Sequence, residues 1–112
     1  MIGAAHNYAA NLKDLQRFEE AKVLMRKTVP KARRVLGEAH EITRGMRQNY
    51  AMALCQDTGA TPDDFQEAVT TLEDTERTAR RVFGGEHPLT TGIQDALREA
   101  RAALRAREAG ES

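Results

Sequence analysis

The chain has 112 residues, with 17 Lys and Arg against 17 Asp and Glu, so its formal net charge at pH 7 is zero. This length bounds it to one domain, and the missing basic excess argues against a general polyanion binder, which gains affinity by releasing counterions. Aromatic residues make up 4% and there is one cysteine, so we expect an aliphatic, alanine-rich core, a reduced thiol and a cytoplasmic location.

The first third of the chain predicts an antiparallel pair of helices. Apolar residues recur at helical spacing over 3–15 and again over 18–36, and Gly37 is suited to end the second helix in a left-handed conformation. Pro30 lies inside the second stripe, where it removes a backbone donor and crowds the carbonyl of Arg26. We therefore expect either a kink at this point or two shorter helices.

Helix signals continue through the rest of the chain. A third helix is predicted to begin near 40–42. A fourth begins near Thr61, which is a good N-cap before a proline at the first helical position. Gly84 and Gly85 end the fourth helix, and Pro88 opens a fifth. No strand pattern competes with these signals, so the sequence predicts an all-α fold.

The chain also repeats itself. Residues 32–43 return as 79–90 at a spacing of 47 residues, and 7–9 match 49–51 at a spacing of 42. Such a period is typical of stacked helix pairs that bury a continuous core. We predict an antiparallel helix-pair solenoid of two full repeats plus a C-terminal capping helix, in which Arg98 replaces the small residue of the earlier copies. The predicted domain spans 1–107, with helix pairs at 1–37 and 40–84, a terminal helix at 88–107 and a disordered tail at 108–112.

Three motifs recur in the aligned copies: a large apolar residue followed by a small one, an aromatic three residues before an alanine, and a connector containing glycine, histidine and threonine. In this sequence they are Tyr8-Ala9 and Tyr50-Ala51, Phe18 with Ala21 and Phe65 with Ala68, and the connectors at 35–43 and 82–90. Together they resemble the tetratricopeptide repeat, especially its long-period version in kinesin light chains. Glu41 replaces the proline of that version in the first connector.

The resemblance implies a non-enzymatic scaffold that binds a peptide or protein segment on a concave face lined by the first helix of each pair. Asn7 and Asn49 match asparagines that bond the ligand backbone in this family, although the residues alone leave open that they bond neighbouring helices. Asp95 and Glu99 would repel a carboxylate, so a mixed or basic partner is expected. The other residues that the same register places in the groove are His6, Ala10, Lys13, Gln48, Met52 and Cys55.

The clusters of charged and titratable residues are typical of structural roles rather than of binding or catalytic sites. The basic residues at 26–34 have no interleaved aromatic residues on which bases could stack, so we expect a solvated face and no nucleic-acid site. His40 and His87 occupy equivalent positions in successive copies and are expected to order the connectors. No Cys/His cluster has zinc spacing, so no metal, cofactor or catalytic site is predicted. No apolar run approaches membrane-spanning length, so no membrane partner is predicted.

The alternative function is assembly. A solenoid needs polar terminal repeats for solubility, and the sequence opens directly into a repeat without such a cap. Either the chain belongs to a longer array, or a partner or a second copy covers the first helix pair. The sequence therefore keeps homo-oligomerisation through the N-terminal helix pair as its second hypothesis.

Overall fold

The computed structural model describes residues 2–110, which form five α-helices and no strand. α1 pairs with α2, α3 pairs with α4, and α5 packs against α4. The predicted all-α solenoid of two helix pairs and a terminal helix is confirmed. The helices are α1 (Ile2–Asp14), α2 (Phe18–Val35), α3 (Glu41–Gln56), α4 (Pro62–Phe83) and α5 (Pro88–Gly110).

The first helices of the successive pairs lie side by side. α3 contacts both α1 and α5, whereas the backbones of α2 and α4 do not approach one another. A stack whose first helices touch and whose second helices fan apart is curved. The inner, concave side of this curve is formed by α1, α3 and α5.

Small residues allow the helices to pack closely. Ala9 and Ala51, which are equivalent in the two repeats, are 0% and 1% exposed. Arg98 occupies the same position in α5, but its side chain is 73% exposed. Within the described chain no further helix covers this side of α5, and its role as a polar cap stays a prediction.

Both connector histidines lie at the starts of helices, as predicted. The Nδ1 atom of His40 accepts a hydrogen bond from the backbone N–H of Ile42 at 3.0 Å. The Nδ1 atom of His87 accepts the equivalent bond from Leu89 at 3.1 Å. Each ring thus satisfies a backbone donor in the first turn of a helix, where no intrahelical acceptor is available. The expectation that these histidines order the connectors is confirmed.

Two expectations about helix continuity differ from the structure. α2 runs through Pro30 without interruption, so the alternative of two shorter helices is wrong, while the kink stays a prediction. Its buried face, which includes Met25 and Ala32 at 0% exposure, provides packing that offsets one lost backbone bond. α5 continues to Gly110, so the tail predicted to be disordered is helical over 108–110, where glutamate and alanine favour a helix. The rest of that tail, 111–112, lies outside the described residues.

A buried tyrosine connects the two helix pairs. Tyr50 of α3 is 7% exposed, and its hydroxyl accepts a hydrogen bond from the Nε atom of Arg26 in α2 at 2.8 Å. The same hydroxyl donates to the carboxylate of Glu67 in α4. Burial, followed by the bond to Glu67, raises the pKa of Tyr50 to about 12. One side chain therefore joins α2, α3 and α4.

The equivalent tyrosine of the first repeat is uncovered. Tyr8 is 55% exposed, because no helix within the described chain lies over the outer side of α1 and α2. Leu15 and Val23 are 67% and 50% exposed. The first helix pair thus leaves apolar side chains in contact with solvent at the N-terminal end of the stack.

Candidate functional site

A cleft of about 420 Å³ opens between α3 and α5 on the concave side. α3 contributes Met52 and Cys55, and the side chain of Leu72 in α4 reaches the lining from below. On the opposite wall α5 contributes small side chains and the carboxylates of Asp95 and Glu99. The cleft therefore combines a mainly apolar surface with two acids along one edge.

The cleft forms between α3 and α5 because no side chain covers Gly92 of α5. Between α1 and α3, a Cβ added at Gly45 would lie 3.1 Å from the Cε1 atom of His6, so the histidine ring fills that gap. At the next step the equivalent positions are Gln48 and Gly92. Nothing lies within 4 Å of a Cβ added at Gly92, so the gap between α3 and α5 stays open.

The structure brings together part of the predicted set of groove residues. Met52, Cys55, Asp95 and Glu99 line the same cleft. The remaining members lie outside its lining, and the role of all of them in binding stays a prediction. Those outside are His6, Asn7, Ala10, Lys13, Gln48 and Asn49.

Two of the predicted groove residues outside the cleft contact other residues of the chain. His6 packs against Gly45, and its buried Nδ1 atom has no hydrogen-bond partner among the described residues. The side chain of Lys13 is only 14% exposed, and its Nζ atom lies 3.7 Å from a carboxylate oxygen of Asp14. Both side chains therefore contact other parts of the chain.

The two asparagines are placed differently. Asn7 is exposed and Asn49 is half-buried. Neither side chain forms a hydrogen bond with another described residue, so the structure does not show the alternative in which they tie neighbouring helices together. Their amide groups are available to an incoming backbone.

The charge in the cleft is acidic. The carboxylate of Asp95 accepts a hydrogen bond from Arg98 at 2.9 Å, and both side chains are largely exposed, at 64% and 73%. Glu99 has no ion pair within the described part of the chain, and no lysine or arginine lines the cleft there. Burial, followed by the charge of Asp64, raises the pKa of the Cys55 thiol to about 11. The cleft is therefore suited to a cationic group beside an apolar one, and its thiol is held protonated.

The sequence analysis missed the small residues that make room for the cleft. Gly92, Ala96, Ala100 and Ala103 lie along one face of α5 and all reach the lining. Their spacing of about one helical turn is visible in the sequence, since residues three or four positions apart share a helix face. The same spacing is equally typical of close helix packing, so it did not by itself indicate an opening.

The exposed basic residues of α2 are partly engaged at the protein surface. Arg26 bonds Tyr50, and Arg33 donates to Glu38 at 2.5 Å. Within residues 2–110, no three His, Cys, Asp or Glu side chains gather as metal ligands would. None of the helices in that range combines the length and apolar character that a membrane span requires.

One protein family model matches the first part of the chain. The family model described as "Tetratricopeptide repeat" matches residues 2–41, which cover α1, α2 and the connector to α3. Residues 2–41 are therefore similar to a tetratricopeptide repeat. The second helix pair lies outside the matched residues, and its relation to the first depends on the internal repeat. The finer resemblance of the chain to kinesin light chains stays a prediction.

Searches among curated proteins and among solved structures returned no match. Tetratricopeptide repeats mediate protein–protein interactions, and the repeat itself is not a catalytic unit. The cleft between α3 and α5 lies outside the residues that match this repeat.

Proposed function

We propose that this protein is a non-enzymatic scaffold whose concave face binds an extended or helical segment carrying an apolar side chain next to a lysine or arginine. The observation that carries the proposal is the cleft between α3 and α5, which joins an apolar lining to the acids Asp95 and Glu99 without a basic residue. Because Glu99 lacks an ion pair among the described residues, a cation from the ligand would meet an uncompensated carboxylate.

The apolar part of the cleft would hold the ligand's anchor. Met52 is 38% exposed and adapts its shape easily, since its unbranched thioether has several accessible rotamers. Ala96 and Gly92 leave space for a side chain of medium size on the opposite wall. A buried apolar anchor surrounded by polar contacts is the arrangement that carries most of the energy in protein interfaces.

Rigid placement of these groups is the proposed mechanism. Both walls of the cleft belong to helices that are packed in the core through Ala51 and Ala100, which are 1% and 4% exposed. The ligand therefore meets a surface that is already ordered, which reduces the entropy lost on binding. Asn49, with its amide free of bonds to the described chain, would add a hydrogen bond to the ligand backbone.

A panel of fluorescently labelled peptides, matched in length and apolar content but differing in charge, tests the proposal by fluorescence anisotropy. Basic peptides are expected to bind more tightly than acidic ones, and E99K is expected to reverse that preference. Ala96→Leu, which fills the cleft, should weaken binding about tenfold. Its matched control is Ala102→Leu, an exposed position of the same helix outside the cleft.

Two outcomes would contradict the proposal. Acidic peptides that bind more tightly than basic ones would show that the acids of α5 do not select the ligand. Equal loss of affinity in Ala96→Leu and Ala102→Leu would place the binding surface elsewhere. Circular dichroism of each variant separates a loss of binding from a loss of helical structure.

A further inference from the structure

The uncovered end of the stack has a defined composition. A shallow groove there is lined by Tyr8 and Leu12 of α1 and by Val23 and Leu24 of α2. Glu19 and Glu20 border one end of the groove, and Lys27 borders the other end. Its charged borders are therefore of opposite sign, with apolar side chains between them.

The counterpart of this surface inside the protein is covered at its tyrosine, whereas on its second helix Thr70 is exposed. Tyr8 corresponds to Tyr50, which is 7% exposed beneath α2 and bonded to Arg26 and Glu67. The open surface is also more apolar than that counterpart, since Val23 stands where the second repeat has Thr70. A half-exposed tyrosine and valine on one helix pair, at 55% and 50%, indicate a surface that is completed by another molecule.

The distribution of charge along α2 indicates which molecule binds to this groove. Glu19 and Glu20 lie in its first turn and are paired with Lys22 and Arg17. The second half of α2 carries Lys27, Lys31 and Arg34, none of which has an ion pair within the described chain. Two parallel copies of this helix would place like charges opposite one another. Two antiparallel copies place the acidic end of each against the basic end of the other, which is favourable for the charges and for the helix dipoles.

We propose that this face binds a second copy of the chain, with the two α2 helices antiparallel across a twofold axis near Val23 and Leu24. Glu20 of each copy then lies opposite Lys27 of the other, because both are equally distant from that axis along the helix. The apolar side chains meet at the centre, with Tyr8 of the two α1 helices beside them. The same surface is used on both sides, as a twofold interface requires.

The size of the face sets the strength of this dimer. α2 has 18 residues, which corresponds to a length of about 27 Å, and two adjacent helices present a width of about 20 Å. The footprint is on the order of 500 Å² per copy, which is at the lower end for specific association. The dimer is therefore weak and depends on concentration, and it forms without using the cleft between α3 and α5.

Sedimentation velocity of the full chain, over concentrations of about 5–500 µM, tests the proposal. A monomer–dimer equilibrium is expected for the natural sequence. K27E and E20K should each weaken it about tenfold, since each change turns two attractions into two repulsions. Mixing the two variants restores opposite charges at both contacts, so the mixture should dimerise more tightly than either variant alone.

The control variant is R105E, which reverses an exposed cation at the other end of the stack and should leave the dimer unchanged. Circular dichroism checks that every variant keeps its helices. A monomer at all concentrations would overturn the proposal and assign the face to a different occupant, such as a helix of another protein. A dimer whose strength is unchanged in K27E and in E20K alone, or a mixture that dimerises no more tightly than either variant, would exclude the antiparallel arrangement.

Discussion

Replacing Tyr50 by phenylalanine removes one hydroxyl group and leaves the packing of the ring in place. The hydroxyl bridges Arg26, at 2.8 Å, and the carboxylate of Glu67. A hydrogen bond to a charged group contributes about 1.5–3 kcal/mol. The loss of stability is smaller than the sum for two such bonds. The side chains of Arg26 and Glu67 are 48% and 43% exposed, so water can replace the lost hydroxyl.

These two groups also compensate each other in the variant. The Nη2 atom of Arg26 already lies 3.6 Å from a carboxylate oxygen of Glu67, so an ion pair remains after the hydroxyl is lost. We therefore expect Tyr50→Phe to lower the free energy of unfolding by about 1–2 kcal/mol. For a domain of this size the midpoint of thermal unfolding falls by about 4–8 °C for each kcal/mol.

Urea denaturation followed by circular dichroism at the helix band measures this difference. The matched control is Tyr8→Phe, at the equivalent position of the first repeat, where the hydroxyl forms no hydrogen bond with described residues and the side chain is 55% exposed. The control is expected to change stability by less than about 0.5 kcal/mol, measured at a concentration where the chain is monomeric. Equal effects of the two substitutions would refute the conclusion that the buried bridge, rather than the ring, distinguishes these positions.

Further substitutions and pH changes have expected results. Gly92→Ala should stabilise the protein by about 0.5–1 kcal/mol, because Gly92 lies in a helix and an added Cβ meets nothing within 4 Å. Gly45→Ala must displace the His6 ring, so it should increase stability less in the same urea experiment. Thr61→Ala should cost about 1 kcal/mol of stability through the loss of a helix cap, and an unchanged urea midpoint would contradict this. Alkylation of Cys55 at pH 8 should be about a hundredfold slower than that of an ordinary thiol, since its pKa is raised to about 11, and a normal rate in mass spectrometry would disagree. The pKa of Tyr50 is about 12 in the folded protein, whereas that of free tyrosine is about 10. The protonated hydroxyl therefore contributes fully to the free energy of unfolding below pH 10, and this contribution is lost between about pH 10 and 12. Tyr50→Phe should not show this loss.

The repeat structure was predictable because it depends on local signals. Proline and threonine at the start of α4 determine its cap, and Gly37 and Gly84 both adopt a φ of 93°, which few other residues tolerate. Pro30 was harder to interpret, because a local rule predicts disruption while packing along the whole of α2 keeps the helix continuous. Sequence reasoning is strongest where one residue determines one backbone conformation.

The cleft was only partly predictable, because it depends on a difference between two equivalent positions. The register placed Met52, Asp95 and Glu99 together, and they line one cleft. It also placed His6 in the groove, where the ring packs on Gly45 and fills the gap that stays open at the next step. Whether a side chain reaches across to the next helix depends on distances between helices, and these follow from the packing of the entire stack rather than from any spacing in the sequence.

The two ends of the helix stack have unlike surfaces. Arg98 keeps its charge in water at one end, while Tyr8 and Val23 are presented at the other. A fibre grows when one end of a molecule fits the opposite end of the next, and here that contact would bury a guanidinium against apolar groups at a large cost. The twofold contact proposed above would use up the apolar end, so raising the concentration should stop at the dimer and should not produce filaments or gels.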